Sequence, residues 1–486
     1  MINLIGNELK KIFKKKTIYI LLIITIGYMI LSNVMLRITN DSMYSYYYFM
    51  DGDIEYYENN LSDLDPNNES EFSMFLNSKV QVELIKLADD YGNNTWQAYI
   101  IFNRVIDYMN TILRYEYSDG ITDEAYKEAK DNLNLAIEKF NTNDWRYFAN
   151  EDLKEINSSL EEQYNFKKQA VSPSEEVSID RAISSLNIEK QVAEWRLEKN
   201  IDYGPSFLNT ALNDYSSYST ALLDYANTDI HELDSDELSQ YRSALENMNL
   251  SKYYIENSIS LDSLSRNSFI NLFSNYELFI LIVVIVIAGS IVSEEFNKGT
   301  IKLLLVKPYN RFKILFSKFV VCLIILLLTI GIVYISQLLI GGIINGFDAL
   351  NTPAIVYNFD TNHVEEINIF VYVIILGICK LPMYILLLTL AFACSTIFAN
   401  TALAVAVPFL GYIASSIINQ FALLYKLDWI KYFVTPNWDL SYYLFGGLPL
   451  FKGLTAPFSI LICVLYLAIL LILSLVVFKK RDIKNI

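Results

Sequence analysis

The chain has 486 residues, of which 53% are hydrophobic and 14% aromatic, and its formal net charge is −16 at pH 7. This composition is too apolar for an ordinary soluble protein and too charged for a chain that lies wholly inside a membrane. The charge is uneven: residues 37–275 hold 43 acidic and 19 basic residues, and the remainder holds 11 acidic and 19 basic residues. We therefore expect an acidic soluble domain joined to a membrane part with basic flanks, and no nucleic-acid partner.

The chain begins with a short amphipathic stretch, residues 1–16. Apolar residues share one helical face, and Glu8 lies on the opposite, polar face among lysines. The apolar positions are Ile2, Ile5, Leu9, Ile12 and Phe13. Such a helix suits the inner membrane interface, and the alternative is a simple basic topology signal.

Six apolar stretches are long enough to cross about 30 Å of hydrocarbon. They are residues 17–36, 277–293, 317–341, 368–395, 401–422 and 457–478. The first is too long for the apolar core of a cleavable signal peptide, so we expect it to be retained as a span.

Basic residues indicate the orientation of these spans. Lys and Arg cluster before the first span, between the second and third, and after the sixth, whereas residues 342–367 contain neither. Both termini, the segment 294–316 and the tail 479–486 should therefore lie in the cytoplasm. Residues 37–275, 342–367 and 423–456 should then lie outside the cell membrane.

The polar region, residues 37–275, has the periodicity of helices. Residues 123–140 place apolar side chains at spacings of three and four, and Ser172 followed by Pro173 marks the start of another helix. The region contains no cysteine, so it folds without disulfides. We expect an all-α membrane protein with six transmembrane helices and a large, mainly α-helical extracellular domain, whose helices extend from spans one and two.

The predicted outer domain is rich in tyrosine. Tyrosine can bind peptides or lipids at a membrane surface, and the acidic charge would attract cationic ligands. An equally simple interpretation is that these rings pack helix against helix. The residues concerned include Tyr44, Tyr46, Tyr47, Tyr48, Tyr56 and Tyr57.

Catalytic and nucleotide-binding motifs are missing from the sequence. It contains no G-x-x-x-x-G-K-[ST], no G-x-S-x-G and no H-E-x-x-H pattern. His231 and His363 are the two histidines, and no Cys–His spacing indicates zinc. We expect a chain that is not an enzyme, with no catalytic or metal site and no cofactor of its own.

Lys380 lies inside the fourth apolar stretch, two residues before Pro382. A charge within a membrane is costly, so Lys380 and Pro382 are candidates for a transport path. Because proline can break a helix, Lys380 could instead cap a broken half-helix or extend to the interface. Glu277, at the outer start of the second span, is a further path candidate, with an interfacial position as the alternative.

Residues 429–451, between the fifth and sixth spans, mix aromatic side chains with proline and glycine. Aromatic residues prefer the membrane–water boundary, so short re-entrant helices on the outer side are expected. A ligand-binding aromatic cluster is the alternative interpretation.

The segment 293–318, between the second and third spans, is charged and still amphipathic. Two acids, Glu294 and Glu295, are followed by a Gly-Thr step, an apolar step at 303–306 and a basic run that ends at Lys318. We expect a short helix along the membrane that docks a cytosolic protein, with apolar side chains buried and basic ones paired with acids or lipid phosphates. A loop that only fixes topology explains the basic residues, but neither the acidic pair nor the Gly-Thr step.

The segment has a distinctive order of residues: Glu294, Glu295, Phe296, Gly299, Thr300, Ile301, Lys302, Leu304, Pro308, Arg311, Lys313, Lys318 and Phe319. In this order it resembles the segment that follows the second span in permeases of the type-2 ABC exporter family. The resemblance extends to the amphipathic start, the six-span layout and the closing residues 478–483, and it leaves most of the outer domain unmatched.

The resemblance implies a permease driven by a separate cytosolic ABC ATPase, present in two copies, which binds ATP and Mg. The expected ATPase-coupling residues are Glu294, Glu295, Phe296, Gly299, Thr300, Lys302, Leu304, Pro308 and Arg311. A second permease, identical or homologous, would complete the path in the lipid of a bacterial cell membrane. We expect export of a hydrophobic or amphipathic substrate, such as an antimicrobial or other small peptide, in resistance or immunity.

The alternative comes from another class of protein. It is a membrane sensor or scaffold that transports nothing, whose outer domain binds a ligand and whose cytosolic loop recruits a partner. A secondary transporter is disfavoured, because no inverted pair of broken spans with matching ionisable residues is visible.

Overall fold

The computed structural model describes residues 1–43, 51–66, 68–118, 120–261, 264–301, 310–347 and 351–481. The chain divides into two compact units: unit one is Met1–Arg37 with Ser263–Ile486, and unit two is Ile38–Asp262. Unit two begins one residue after the predicted start of the outer domain.

In chain order the helices are α1 (Ile2–Phe13), α2 (Lys16–Met43), α3 (Asp51–Asp63), α4 (Glu69–Asp89), α5 (Trp96–Ile100), α6 (Ile106–Tyr117), α7 (Asp123–Asn141), α8 (Trp145–Gln169), α9 (Pro173–Glu198), α10 (Phe207–Leu222), α11 (Ser235–Glu256), α12 (Leu264–Ile270), α13 (Leu272–Asn297), α14 (Arg311–Asn345), α15 (Ile369–Phe398), α16 (Thr401–Leu424) and α17 (Ala456–Lys480). The strands are β1 (Ala354–Asn358) and β2 (His363–Ile367).

Within the described part of the chain, six helices are long and apolar enough to cross a membrane: α2 through Ile38, α13, α14, α15, α16 and α17. Each predicted span coincides with one of them. The break at Pro382 that the sequence left open as an alternative is absent, because α15 continues through that residue to Phe398. The two residues after the proline, Met383 and Tyr384, are buried in the core of the bundle, and packing of this kind can support a membrane helix across the hydrogen bond that proline removes.

The helix α13 forms the centre of unit one. Its apolar window is 72% buried, compared with 17% for both α16 and α17, and it packs against α14, α15 and α16. A Cβ at Gly289 would lie 3.1 Å from the backbone of Ala404, so glycine lets α13 approach α16 closely. A displacement of α13 would therefore be felt by three other membrane helices.

Residues 263–275, which the charge pattern placed in the outer domain, belong to unit one. The described residues of this stretch form α12 and the first turn of α13. The ring of Phe269 lies edge-on to Tyr334 of α14 and to Phe370 of α15, with centroids 5.2 Å and 5.7 Å away. This aromatic packing, rather than local charge, sets the boundary.

The hairpin of β1 and β2 was not expected from the sequence. Ala354 pairs with Ile367 and Asn358 with His363 in antiparallel register. Each strand has five residues, which is too short an alternation to stand out among longer apolar runs. The Phe359 amide donates to the Phe445 carbonyl at 2.9 Å, so the hairpin is joined to the aromatic segment between α16 and α17.

That aromatic segment, predicted to hold short re-entrant helices, contains two 3₁₀ turns, Asp428–Tyr432 and Leu440–Gly446. Its short helical turns are therefore present, although they are 3₁₀ rather than α-helical.

Unit two is helical from α3 to α11, and a π-helical turn, Ile101–Val105, joins α5 to α6. The helix predicted at 123–140 is confirmed as α7, which buries Ala129, Ala136 and Phe140. The predicted helix start at Ser172 is also confirmed, because its Oγ accepts a hydrogen bond from the Glu175 amide at 3.2 Å.

The tyrosines singled out in the sequence are only partly described. Tyr44, Tyr46, Tyr47 and Tyr48 lie outside the described residues. The rings of Tyr56 and Tyr57 pack edge to face with centroids 5.2 Å apart, and Tyr57 packs against the core of unit two. For this pair the structure shows ring packing.

Candidate functional site

Ion pairs gather at one end of unit one, which we call the basic end: it carries α1, the last turn of α13, the first turns of α14 and the end of α17. At its centre the Nζ of Lys318 lies 2.7 Å from Oε1 of Glu295 and 2.8 Å from Oε2 of Glu8. It also donates to the Ile291 carbonyl at 3.3 Å. The Lys318 side chain is 1% exposed, and a buried ammonium is tolerated only with partners of this kind.

Lys11 completes this group, which we call the Lys318 cluster (Glu8, Lys11, Glu295 and Lys318). The Lys11 Nζ lies 2.8 Å from Oε1 of Glu8 and 3.1 Å from Oε1 of Glu295. Two ammonium groups therefore face two carboxylates, and the formal charge of the cluster is balanced. Three helices, α1, α13 and α14, each contribute to it.

The electrostatics of the cluster follow from burial and pairing. Burial alone would raise the pKa of the Glu8 carboxyl, but the charges of Lys318 and Lys11 and their hydrogen bonds hold that pKa below its ordinary value. Burial alone would lower the pKa of Lys11, but pairing with Glu8 and Glu295 raises it above its ordinary value. Both shifts favour the charged forms and so strengthen the link between α1 and the membrane helices.

Glu8, which the hydropathy pattern placed on the polar face of α1, is buried, with only 6% of the residue exposed. The hydropathy pattern treats every charge as solvent-facing, whereas the buried Lys318 gives Glu8 a partner inside the bundle. The signal that could have revealed this is the single acid at position 8 among the basic residues of α1.

A second set of ion pairs lies beside the Lys318 cluster. The Nζ of Lys15 lies 3.0 Å from Oε1 of Glu294 and 3.4 Å from Oγ of Ser290. Lys298 lies 3.0 Å from Oε2 of the same Glu294. Both acids of the predicted coupling segment are thus paired within the chain and hold α1 and the start of α2 against α13.

The other described coupling residues pack at the end of α13. Phe296 is 5% exposed, lies edge-on to the ring of Phe478 at 6.4 Å, and has the Arg481 guanidinium 4.7 Å from its ring centre. Gly299 follows the helix with a positive φ of 67°, a conformation that glycine adopts at helix ends. Thr300 bonds back to the Glu295 carbonyl at 3.4 Å.

Arg311 caps another helix. Its guanidinium donates to the carbonyls of Lys479 at 2.8 Å and of Phe478 at 3.4 Å, at the end of α17. Arg481 in turn donates to the carbonyl of Thr396 at 2.8 Å, near the end of α15. Last-turn carbonyls lack partners within a helix, so both arginines satisfy them. Arg311, which we expected to pair with acids of a partner or with lipid phosphates, donates instead to carbonyls of this chain.

The middle of the predicted coupling segment, including Lys302, Leu304 and Pro308, lies outside the described residues. The structure describes the residues immediately before and after this segment. Ile301 before it is fully buried, and Asn310 after it accepts a hydrogen bond from the Phe312 amide at 3.2 Å, which starts α14.

A second charged group lies among the membrane helices. The Nζ of Lys380 lies 2.9 Å from Oε2 of Glu277 and 2.7 Å from Oδ2 of Asp439. The Tyr412 hydroxyl donates to Oε1 of Glu277 at 2.7 Å. The group links α13, α15, α16 and the aromatic segment. Because α15 is unbroken at Pro382, Lys380 caps no broken half-helix, and the sequence did not reveal Asp439 or Tyr412 as its neighbours.

A neutral polar network joins α2, α13 and α14. The side-chain amides of Asn33 and Gln337 exchange hydrogen bonds of 3.0 Å and 3.1 Å. Gln337 also accepts from the Tyr276 hydroxyl at 2.8 Å and donates to Ser268 at 3.0 Å. Single amides in apolar runs gave no periodic signal, so this network too was missed.

Unit two contains a cleft of about 470 Å³ between α8 and α9. Its walls carry three carboxylates, Asp152, Glu155 and Glu189, the guanidinium of Arg196, and the rings of Tyr99 and Tyr203. Arg104 lies 2.6 Å from Asp152 and 3.5 Å from Glu155, and the Tyr203 hydroxyl donates to Asp152. Glu189 has no ionic partner in the described part of the chain. The cleft therefore offers an acidic, partly aromatic surface.

These features define a multi-pass α-helical membrane protein with a large helical unit between its first and second apolar helices. Residues 240–484 match the family described as "Protein of unknown function (DUF2705)". The match covers half of the chain, and the chain belongs to this family.

Two relatives come from Bacillus subtilis (strain 168). The uncharacterized protein YhcI is 34% identical over 241 residues, which cover 49% of this chain and 76% of that protein. The uncharacterized membrane protein YdbK is 30% identical over 208 residues, which cover 41% of this chain and 76% of that protein. No solved structure matches the chain significantly.

Proposed function

We propose that this chain is the transmembrane permease subunit of an ATP-driven ABC exporter and that a separate cytosolic ATPase docks on the segment between α13 and α14. The Lys318 cluster is the observation that carries the proposal. It joins both helices that flank this segment to each other and to α1, through contacts of 2.7–3.1 Å.

The linkage gives a route for mechanical coupling. A protein that moved the segment would pull on the last turn of α13 and the first turns of α14, which the cluster holds together. Because α13 is the most buried of the membrane helices described, its displacement must shift α15 and α16. Small sliding movements of packed helices are a common form of conformational change.

The orientation belongs to the same proposal. Lys10, Lys11, Lys14, Lys15 and Lys298 lie at the basic end, and such residues favour the cytoplasmic side of a membrane. Unit two would then lie outside the cell. The exposed apolar faces of α16 and α17 would meet lipid or the second permease needed for a path, as at Leu410, Ile417 and Ile472, each more than half exposed.

For the substrate we propose an amphipathic cationic peptide. The acidic cleft of unit two supports this class, since Glu189 is free to meet an ammonium or guanidinium group and the tyrosines offer apolar contact. Expression of the wild-type chain in cells that lack it should restore resistance to such a peptide. The resistance restored by the Glu189→Gln variant should be lower. The resistance should be unchanged with Glu194→Gln, an exposed acid on the same helix outside the cleft.

The central test is purification of the full chain from its native host in mild detergent. We expect a P-loop ATPase to co-purify, and its ATP hydrolysis should change when the complex is placed in lipid. Leu304→Asp should abolish its retention, because it puts a charge where an apolar contact is proposed. Val171→Asp, at a 92% exposed site in unit two, is the matched control and should retain it.

A chain that never retains an ATPase would contradict the proposal and favour the sensor or scaffold. Normal retention in Leu304→Asp would remove the docking assignment while leaving the exporter proposal standing.

A further inference from the structure

Two adjoining cavities open at the basic end between α1, the start of α2 and α13. The larger, about 380 Å³, is lined by both lysines and acids. The lysines are Lys11, Lys14, Lys15 and Lys298, and the acids are Glu8, Glu294 and Glu295. The smaller, about 210 Å³, has a mainly apolar surface, to which Ile18, Val286 and Ile287 contribute. Ile12, Lys15, Ser290 and Glu294 line both, so the charged cavity continues into the apolar one.

The charged cavity is lined by more ammonium groups than carboxylates. Lys14 is exposed and is paired with no carboxylate in the described ranges, while Lys15 and Lys298 share the single carboxylate of Glu294. The Lys298 side chain is 67% exposed. An excess of ammonium groups at a membrane interface suits a phosphate group.

Glu295, a residue that lines the same cavity, carries an unused acceptor. Oε1 of Glu295 accepts from both Lys318 and Lys11, but its Oε2 is buried and has no hydrogen-bond partner among the residues that the structure describes. Glu295 as a residue is 9% exposed and lines the charged cavity. Buried carboxylate oxygens normally have a donor, so this atom indicates a missing hydroxyl or N–H group.

A phosphate, a hydroxyl donor and an apolar tail occur together in one kind of molecule. We propose that the two cavities hold one anionic phospholipid whose headgroup carries a hydroxyl group, as phosphatidylglycerol does. Its phosphate lies against Lys14, Lys15 and Lys298, its headgroup hydroxyl donates to Glu295 Oε2, and part of an acyl chain enters the apolar cavity. A bound lipid of this kind would hold α1 against α13 and stabilise the basic end.

The inference does not depend on the exporter proposal, because all its residues belong to this chain and no ATPase is involved. A soluble phosphate ester shares the phosphate chemistry but has nothing to place in the apolar cavity. The contributions of the phosphate, the hydroxyl donor and the acyl chain to binding can therefore be tested one at a time by the choice of added molecule.

The experiment measures the melting temperature of the purified, delipidated full chain in detergent as defined molecules are added. Phosphatidylglycerol should raise it in a saturable way, whereas phosphatidylcholine and glycerol 3-phosphate should not. Phosphatidylmethanol has the same phosphate charge and no hydroxyl donor, so it should bind about tenfold more weakly than phosphatidylglycerol.

Matched variants test the location. Lys14→Gln should weaken the apparent affinity for phosphatidylglycerol about fivefold, or about 1 kcal/mol. Lys10→Gln makes the same change on α1 at a lysine that lines neither cavity and should leave the affinity unchanged. Val286→Trp fills the apolar cavity and should also weaken binding.

Three results would overturn the assignment. Equal effects of phosphatidylglycerol and phosphatidylcholine would show no headgroup site. Equal weakening by Lys14→Gln and Lys10→Gln would place the lipid elsewhere. An identical shift with glycerol 3-phosphate would assign the cavity to a free phosphate ester and leave the apolar part without a role.

Discussion

Lys318 is a charge that the bundle has removed from water. With a side chain 1% exposed, its ammonium depends on Glu8, Glu295 and a backbone carbonyl for everything that water would supply. Removing one partner of a buried ion pair generally costs about 3–5 kcal/mol, because the other charges stay buried without compensation. The residue is therefore structural as well as central to the proposed coupling.

We expect Lys318→Met to lower the stability of unit one by about 3–5 kcal/mol, seen as a lower melting temperature in detergent. Lys313→Met, an exposed lysine five residues earlier on α14, is the control and should change the melting temperature little. The triple change Lys318→Met, Glu8→Gln and Glu295→Gln should recover part of the loss, because the stranded carboxylates become neutral. A triple variant less stable than Lys318→Met alone would refute the charge explanation.

Glu8 should make the stability depend on pH on the acid side. Its pKa in the folded chain lies below the ordinary value of 4.5, so its pairing stabilises the folded state fully above 4.5 and is lost as the pH falls through the lower folded value. The difference in melting temperature between the wild type and Glu8→Gln should shrink as the pH falls from neutrality to below 4.5. A difference that stays constant over this range would show that Glu8 acts through packing rather than charge.

At the scale of elements, the Lys380 group determines how α13, α15 and the aromatic segment are joined. Lys380 faces two carboxylates, and its side chain is 17% exposed while those of Glu277 and Asp439 are each 14% exposed. One ammonium therefore faces two carboxylates, and the hydroxyl of Tyr412 stabilises one of them by donating a hydrogen bond to Glu277. The group thus joins elements that lie far apart in the sequence.

Lys380→Met should therefore destabilise the chain by about 3 kcal/mol, the lower end of the range for a buried pair, because some exposure remains. The measurement is again the melting temperature, and Lys452→Met, at an exposed site between α16 and α17, is the control. If Lys380 served only a transport path, its replacement would reduce export and leave the melting temperature unchanged.

Elements were predictable where their signals are local. The face of α7 follows from residue spacing, and the start of α9 follows from Ser172 and Pro173, whose effects reach only a few residues along the chain. The hairpin of β1 and β2 and the continuity of α15 through Pro382 depend on contacts with distant residues. Those contacts leave no trace in a short window of sequence.

At the scale of the whole molecule, the proposed orientation can be tested by cysteine labelling. The native cysteines lie in membrane helices, where Cys322, Cys394 and Cys463 are buried, so a Cys379→Ser background should label weakly. In intact cells, a membrane-impermeant maleimide should label Ser178→Cys in unit two and Lys452→Cys. It should reach Lys313→Cys only after permeabilisation. Labelling of Lys313→Cys in intact cells, without labelling of Ser178→Cys, would contradict the proposed orientation and support the opposite one.

The sequence alone determined that this is a membrane protein with six apolar spans, a separate acidic helical region and a charged segment between the second and third spans. Hydropathy, charge and helix-start signals are summed along the chain, so they are readable without a fold. The tertiary structure decided that Glu8, Glu295 and Lys318 form one buried cluster, that Lys380 meets Asp439, and that one buried oxygen of Glu295 has no hydrogen-bond partner among the described residues. These pairings join residues as far as 310 positions apart, and only the packing of the helices brings their charges within bonding distance.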